Sequence, residues 1–324
     1  MTTTLSLPEI KRIIESNSAD DLIRIIEDGF VLYARKQVTV PPVGYLPFNK
    51  PPGDVHIKYG YIHNDDYYVI KIASGFYDNP SLGLSSSNGL MLIFSQKTGT
   101  LLSVLLDEGY LTDIRTAVAG AIAAKYLAPS NVSSIGIVGT GMQARLQLQF
   151  LSSVTKCRDV IVWGRSKEKL DKFKKDLSLK DFVIRITTDM TQLTSRCNLI
   201  VTTTPSKEPL LFADDILPGT HITAMGADAD GKQEIDVSLI AKCDIIVADS
   251  IDQCIDHGDI GFAVRNKSVD PSSILSLGDV IANKKLGRSN DEQTTIADLT
   301  GVAIQDIQIA KYVFENTKLS HSTL

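Results

Sequence analysis

A candidate phosphate-binding turn follows an apolar run in the middle of the chain, where Ile135 to Val138 leads directly into Gly139-Thr140-Gly141. The run predicts a strand, and the pattern from Met142 onward predicts a helix start. In such a unit the first glycine makes the turn, and the second lets backbone N–H groups approach a pyrophosphate, which the helix dipole also favours. With Ala144 the pattern is GxGxxA and predicts a dinucleotide site, although a tight turn of any α/β protein can show the same letters.

The tip of the next predicted strand, residues 159–164 (DVIVWG), decides which dinucleotide we expect. An NAD site would place a carboxylate there to bind the ribose hydroxyl. The chain instead has Gly164-Arg165-Ser166, in which the Arg165 guanidinium and the Ser166 hydroxyl could bind a 2′-phosphate. In the alternative interpretation Arg165 stacks on the adenine. We therefore predict NADP(H) as the cofactor, with NAD(H) as the alternative.

The elements around this turn alternate between strand and helix. Apolar strands are predicted at 135–139, 159–164, 182–187, 198–204, 220–226 and 244–250, with helices at 143–154, 166–176 and 234–242. This alternation predicts a doubly wound parallel sheet. The first half instead has helical periodicity over 9–34 and then short β-branched or aromatic runs, which predict an antiparallel sheet. A helix over about 112–127 ends before Pro129, a predicted domain boundary.

Composition and charge exclude several classes of protein. The 324 residues carry a formal net charge of -5 and a pI near 5.6, which argues against a nucleic-acid binder. The four cysteines show no CxxC spacing and no cysteine–histidine cluster, so we expect free thiols and no metal site. No apolar stretch approaches about 18 residues and the N-terminus lacks a secretory-signal pattern. We therefore expect no membrane span and a cytoplasmic protein.

Five blocks of sequence resemble the ornithine cyclodeaminase/μ-crystallin family. They are VIKIASGFYDNP, DEGYLTDIRTAVAGAIAAKYLAP, GIVGTGMQA, GTHITAMGADADGKQEID and DLTGVAIQD, in family order. The resemblance implies an α/β fold in which a doubly wound (Rossmann) dinucleotide domain, residues 130–301, is inserted into an α+β antiparallel-sheet domain. That second domain, residues 1–129 and 302–324, would bind substrate and form homodimers. The implied chemistry is hydride exchange between nicotinamide and a carbon that bears nitrogen and a carboxylate.

The resemblance also implies roles for individual positions. Lys71 and Arg115 would bind the substrate carboxylate, with Arg115 also near the cofactor, and Asp228 would be the catalytic acid/base. Thr300 would lie near the nicotinamide ring and the substrate. The implied dinucleotide contacts, beyond the glycine turn and the strand tip, are Ser86, Ser87, Met142, Gln143, Thr204, Met225, Gly226, Lys232 and Leu299.

The residue types themselves suit the reduction of an imine beside a carboxylate. That reaction needs a cation for the carboxylate, a proton donor for the nitrogen and hydride on one face. The guanidinium of Arg115 suits the first task, unless it forms a structural salt bridge with Asp113 or Glu108. Lys71, amid apolar neighbours on a predicted strand, could bind the carboxylate or donate a proton, or it could snorkel to water. Asp228 follows a predicted strand, where it could be an acid/base or a turn cap.

Two positions bear on the substrate. Many family members have a further arginine that binds the carboxylate, and the aligned residue here is Gly44, which disfavours ornithine. His56 and Lys58 alternate onto one face of a predicted strand. That face is either solvated or lines the pocket, where it would suit a substrate with a second carboxylate.

Three functions compete. The leading hypothesis is an NAD(P)H-dependent reductase of small anionic α-imino acids, equivalent to an amino-acid dehydrogenase in reverse. The second is ornithine cyclodeaminase, a lyase that forms proline and ammonia and recycles its cofactor. The third is a dinucleotide-dependent binding protein of crystallin type, which the presence of Lys71, Arg115 and Asp228 disfavours. Net consumption of reduced cofactor separates the first from the second.

Overall fold

The computed structural model describes residues 2–76, 78–176 and 181–321; Tyr77 of the block VIKIASGFYDNP lies outside these ranges. The chain divides into two compact units. One holds the residues up to Arg115 and those from Val302 onward, and the other runs from Thr116 to Gly301. The sequence suggested a boundary at 129. The observed boundary falls inside a helix because the second part of that helix packs within the second unit, where the Gln147 side-chain amide donates to the Thr116 carbonyl (3.2 Å).

No helix within the described ranges is long and apolar enough to cross a membrane.

The first unit contains, among its described residues, a seven-stranded sheet. Its strands are β1 (Thr3–Ser6), β2 (Val38–Thr39), β3 (Gly44–Asn49), β4 (Pro52–Ile62), β5 (Tyr67–Phe76), β6 (Ser87–Ser95) and β7 (Leu101–Leu106), and its helices are α1 (Leu7–Glu15), α2 (Ala19–Ala34) and the start of α3 (Tyr110–Leu127). The order is β1-β7-β6-β5-β4-β2, with β3 also on β4. All pairs are antiparallel except β1 with β7.

The second unit contains a parallel sheet of eight strands within the described ranges. The strands are β8 (Ile135–Val138), β9 (Asp159–Trp163), β10 (Val183–Thr187), β11 (Leu199–Thr202), β12 (His221–Ala224), β13 (Ile245–Ala248), β14 (Leu275–Ser276) and β15 (Thr295–Asp298). The helices are α4 (Met142–Leu151), α5 (Lys167–Asp176), α6 (Met190–Thr194), α7 (Val237–Lys242), α8 (Ile251–His257), α9 (Asp259–Arg265) and α10 (Leu277–Ala282). The strand order is β10-β9-β8-β11-β12-β15-β13-β14. From β8 the chain first adds strands on one side of the sheet and then, from β11, on the other, and parallel sheets bind ligands at such a switch point.

The last helix, α11 (Ala303–His321), returns to the first unit and packs on β4, β5 and β6. The sheet face beneath it is buried and includes Val69 and Met91. The opposite face exposes Ile57, Tyr59 and Tyr61, which are 36–38% accessible. Side chains alternate along a strand, so Lys58, between Ile57 and Tyr59, belongs to the buried face.

The predicted fold class is confirmed, because apolar strands alternating with helices form the parallel sheet and the turn-rich first half forms the antiparallel one. Two details differ. The helical periodicity over 9–34 belongs to two helices, since the Ser18 hydroxyl accepts a hydrogen bond from the Asp21 N–H (3.1 Å) and starts α2. Strands β14 and β15 were not predicted, and each is only a few residues long.

Candidate active site

The glycine turn connects β8 to α4 at the carboxyl end of the parallel sheet. Gly139 has a φ of 126°, which side chains disfavour, and a Cβ there would lie 2.5 Å from Thr203 Oγ1. At Gly141, by contrast, no described atom beyond its own chain neighbours lies within 4 Å of where a Cβ would be. The turn therefore leaves space for a phosphate beside the backbone N–H groups that begin α4.

A cleft of about 850 Å³ opens in front of this turn. The residues expected from the sequence that line it are Gly139, Gly141, Met142, Gly164, Arg165, Ser166 and Thr204. Lys169 and Lys172 of α5 extend the basic rim beside Arg165, and Asp176 adds a carboxylate. The size and the basic rim of the cleft suit an anionic nucleotide.

The turn after β12 carries Asp228. Its carboxylate is 2.6 Å from the ammonium of Lys232, and the Asp228 side chain is 53% accessible. Met225, just before the turn, is buried. Asp228, the expected acid/base, therefore contacts Lys232, an expected dinucleotide contact. The positions of both side chains depend on the conformation of this turn.

The segment after β15 is fixed by Asp249, which the sequence had not singled out. The Asp249 carboxylate accepts hydrogen bonds from the N–H groups of Thr300 (3.2 Å) and Gly301 (2.7 Å) and from the Thr300 hydroxyl (3.3 Å). Leu299 and Thr300 are both buried. Asp249 therefore holds one expected site residue, Thr300, and fixes the backbone that follows Leu299.

In the first unit, Lys71 and Arg115 share one buried carboxylate, that of Asp306 on α11. Asp306 Oδ2 is 3.0 Å from Lys71 Nζ, and Asp306 Oδ1 is 3.1 Å from Arg115 Nε. All three side chains are buried. Gln305 accepts a hydrogen bond from Arg115 Nη1 (3.0 Å) and so fixes the guanidinium further.

Electrostatics within this group leave Lys71 poised between its two protonation states. Burial lowers the pKa of Lys71 to about 7; the charge of Asp306 opposes that change, whereas Arg115 and Lys58 add to it. For Asp306, burial alone would raise the pKa, but the charges of Lys71, Arg115 and Lys58 together lower it. Lys71 is buried rather than extended to water, and with a pKa near 7 it can donate a proton at neutral pH.

Sequence reasoning missed Asp306 and Gln305 as site residues. Both lie in the block DLTGVAIQD, so a signal existed in the acid at the start of the last helix. Asp306 is far from Lys71 and Arg115 in sequence, and nothing in its neighbourhood indicates which cations it meets. From the sequence, Asp113 and Glu108 were the candidate ion-pair partners of Arg115. In the structure Arg115 forms an ion pair with Asp306.

His56 and Lys58 lie on the same sheet face as Lys71. Lys58 is directly opposite Lys71 across β4 and β5, and both His56 and Lys58 are half-buried. The His56 ring also stands 3.4 Å from the carboxylate of Asp54 and packs on Tyr45. Lys58 therefore adds positive charge beside Lys71, while both Lys58 and His56 keep part of their surface open to solvent.

The expectation for Gly44 needs correction. A Cβ at Gly44 would lie 3.3 Å from Ile57 Cβ, so a side chain there would point to the exposed face, away from Lys58 and Lys71. Tyr45 occupies the position on the Lys58 side. The glycine at position 44 therefore takes no positive charge away from the group formed by Lys58, Lys71 and Arg115.

The remaining expected contacts are spread over both units. Ser86 and Ser87 are exposed where β6 begins in the first unit, and Gln143 is half-buried in the first turn of α4 in the second. Gly226 begins the Asp228 turn. Within the described ranges, no group of three or more His, Cys, Asp or Glu side chains is arranged to hold a metal ion.

Comparison with known proteins agrees with the sequence blocks. The model of the ornithine cyclodeaminase/mu-crystallin family matches residues 6–321. An uncharacterised cyclodeaminase of Sinorhizobium fredii is 40% identical over 301 residues, 92% of this chain and 91% of that protein. Alanine dehydrogenase of Archaeoglobus fulgidus is 38% identical over 316 residues, covering 97% and 95% of the two chains. Iminosuccinate reductase of Paracoccus denitrificans is 32% identical over 252 residues, covering 77% and 78%.

Two solved structures are similar over almost the whole length. An archaeal alanine dehydrogenase dimer with bound NAD has a TM-score of 0.90 and 35% identity, with 99% of this chain and 97% of that chain covered. The iminosuccinate reductase of Paracoccus denitrificans in complex with NAD+ has a TM-score of 0.90 and 27% identity, with the same two shares covered.

Proposed function

The chain belongs to the ornithine cyclodeaminase/mu-crystallin family, and from that premise we propose that it is an NAD(P)H-dependent reductase of small α-imino acids. The observation that carries the proposal is the buried charge of the first unit. The buried side chains of Lys71 and Arg115 both contact the carboxylate of Asp306, and the charge of Lys58 also acts on it, so three cationic side chains are gathered around this carboxylate. Such a group suits a substrate carboxylate.

The dinucleotide would be held in the second unit. The glycine turn supports binding of the pyrophosphate, and Thr204 and Met142 would line the rest of the cleft. When bound, the cofactor supplies the hydride. The fit rests on Gly139, where a side chain would collide with Thr203, and on the open space at Gly141.

Two groups of the chain would handle protons. We assign the acid/base role to Asp228, whose carboxylate is accessible and is held by Lys232. Lys71 would bind the carboxylate or donate a proton, since its pKa near 7 allows either state at neutral pH. Arg115, held by Asp306 and Gln305, would fix the carboxylate.

The names of two relatives, alanine dehydrogenase and iminosuccinate reductase, support a reductase or dehydrogenase. The cyclodeaminase relative from Sinorhizobium fredii keeps the lyase as the second candidate. To test the proposal, 2-oxo acids with ammonia or methylamine, together with cyclic imines, are screened for oxidation of NADPH and NADH. A complete lack of turnover with every imine would favour the crystallin-type binding protein instead.

For the substrate we propose a small anionic imino acid, with a dicarboxylic one such as iminosuccinate as the first candidate. Lys58 and His56 would bind the second carboxylate, and the same charge would repel the free ammonium of ornithine. Lys58→Ala is expected to raise KM for oxaloacetate plus ammonia roughly tenfold or more, as for a lost charged hydrogen bond, and to change KM for pyruvate plus ammonia much less.

Lys97→Ala is the matched control, because this lysine belongs to the same unit and its ion pair with Asp66 is exposed. If Lys58→Ala changed KM equally for oxaloacetate and for pyruvate, Lys58 would not bind a second carboxylate.

For the cofactor we propose a preference for NADPH. Arg165 and Ser166 line the cleft where an NAD site would offer a carboxylate, and Lys169 and Lys172 lie on the same rim. Arg165→Asp is expected to erode or invert the preference, measured as the ratio of dissociation constants by nicotinamide fluorescence. Arg196→Asp, an equal charge change at an exposed position that does not line the cleft, should leave the ratio unaltered. Equal dissociation constants for NADPH and NADH in the parent protein would refute the preference.

We also propose a cytoplasmic homodimer. The exposed face of the first-unit sheet is apolar: Leu46, Phe48, Ile57, Tyr59 and Tyr61 are 36–54% accessible, and a second copy would cover them. The solved alanine dehydrogenase is a dimer, which supports this assembly. Sedimentation of the protein at 35.3 kDa, the mass of one chain, would contradict it.

A further inference from the structure

Glu234 is fully buried and joins the ends of two central strands. Its Oε1 accepts hydrogen bonds from the N–H and the hydroxyl of Thr204, both at 2.6 Å. Its Oε2 accepts from the Thr202 hydroxyl (2.6 Å) and from the Gly226 N–H (2.9 Å). One carboxylate therefore connects the residues that follow β11 to the turn that follows β12.

The residues that Glu234 connects belong to the proposed site. Thr204 lines the dinucleotide cleft, and Gly226 begins the turn that carries Asp228. A Cβ at Gly226 would lie 2.2 Å from the Thr204 carbonyl oxygen and 2.4 Å from Glu234 Oε2. The turn thus packs directly against the carboxylate, and only glycine fits between them.

Glu234 is itself held from behind. The Asp259 carboxylate accepts hydrogen bonds from the N–H groups of Glu234 (2.8 Å) and Ile235 (2.9 Å). The Glu234 carbonyl accepts from the N–H groups of Leu210 (2.7 Å) and Leu211 (3.2 Å). Because its backbone is fixed on both sides, the carboxylate is a rigid support rather than a mobile side chain.

We propose that Glu234 is a positioning residue, which holds the Thr204 segment and the Asp228 turn in one arrangement for cofactor binding and proton transfer. This inference rests on the proposed reductase function, since it assigns a purpose to those two segments. Misplacement of reacting groups by about 1 Å can cost about 10²-fold in rate, so a support of this kind matters for turnover.

The charge of Glu234 makes the support sensitive to pH. Burial, together with the charge of Asp259, raises the pKa of Glu234 to about 7, although the hydrogen bonds from Thr202 and Thr204 oppose the change. The titratable groups that act on this carboxylate are Asp259 at the start of α9 and, from β15, Asp298. Protonation would remove acceptor capacity, so the affinity for the dinucleotide should fall as pH falls through 7.

The test uses the full chain with Glu234→Gln, which keeps the shape but places an amide N–H₂ against donor groups. We expect its dissociation constant for NADPH to rise about tenfold or more, and the pH dependence of that constant between 6 and 8 to flatten. We also expect kcat to fall when NADPH is saturating, where weaker cofactor binding no longer limits the rate. Amide hydrogen exchange at Thr204 and Gly226 should accelerate. Thr202→Val, which removes one donor outside the cleft, should show the same changes more weakly.

The outcomes separate the two proposals. If the parent protein binds neither NADPH nor NADH, the proposed function fails, while the exchange rates still test Glu234. Parent-like exchange at Thr204 and Gly226 in Glu234→Gln overturns the positioning role, as does parent-like affinity for NADPH across this pH range. If Glu234→Gln does not fold, parent-like exchange at Gly226 in Thr202→Val overturns it equally.

Discussion

Asp228→Asn is expected to lower kcat by about 10²–10⁴-fold, the usual contribution of a general acid/base, while the fold and the affinity for the dinucleotide persist. The amide is nearly isosteric but cannot exchange a proton with the substrate nitrogen. The carboxylate is 53% accessible, so its ion pair with Lys232 contributes little to stability. Steady-state rates at saturating cofactor, together with dissociation constants from nicotinamide fluorescence, check both halves of this expectation.

Asp230→Asn is the matched control, because Asp230 lies in the same turn and is exposed. It removes the same charge two residues away and should keep turnover near that of the parent. Turnover of Asp228→Asn within a few-fold of the parent would show that the acid/base lies elsewhere.

Asp306→Asn is expected to lower the free energy of unfolding by about 3–5 kcal/mol, because it leaves two buried cations, Lys71 and Arg115, without their carboxylate. Lys71 can relieve part of this cost by losing its proton, since its pKa is already lowered to about 7 and would fall further. Between that lowered value and 10.5 the unfolded chain binds more protons than the folded one, so stability rises with pH in this window. In the parent protein this dependence ends near pH 7, whereas in the variant the lower pKa of Lys71 extends it below 7. The deficit of the variant should therefore grow as pH falls from 8 to 6.

Urea denaturation at the two pH values measures this deficit. Asp66→Asn provides the control, because the ion pair of Asp66 with Lys97 is in the same unit and exposed, so its loss should scarcely alter stability. A deficit below about 1 kcal/mol at pH 6 in Asp306→Asn would mean that the buried cations are compensated by other groups.

The sequence predicted the fold well because both sheets have strong local signatures. Near-continuous apolar strands such as 135–138 are typical of parallel sheets that helices cover on both faces, and the turn-rich first half shows its hairpins directly. The glycine turn was equally readable, since Gly139 requires a conformation that other residues avoid. Local patterns of this kind need no knowledge of distant contacts.

The site was less predictable where it depends on distant partners. Asp306 meets Lys71 and Arg115 only because the last helix returns to the first unit. Glu234 looks like any polar residue after a loop until its four donors are seen. At Gly44 an aligned position was assigned to the pocket, although the pleat of β3 directs it to the other face.

The central claim is net reduction of an imino acid, and the most direct measurement follows nicotinamide absorbance and amino-acid product together. With oxaloacetate, pyruvate or glyoxylate plus an amine, we expect one NAD(P)H to be oxidised for each amino acid formed, faster than any proline appears from L-ornithine. Ammonia release and proline formation from L-ornithine, with no net change in nicotinamide absorbance, would contradict the reductase and establish the cyclodeaminase.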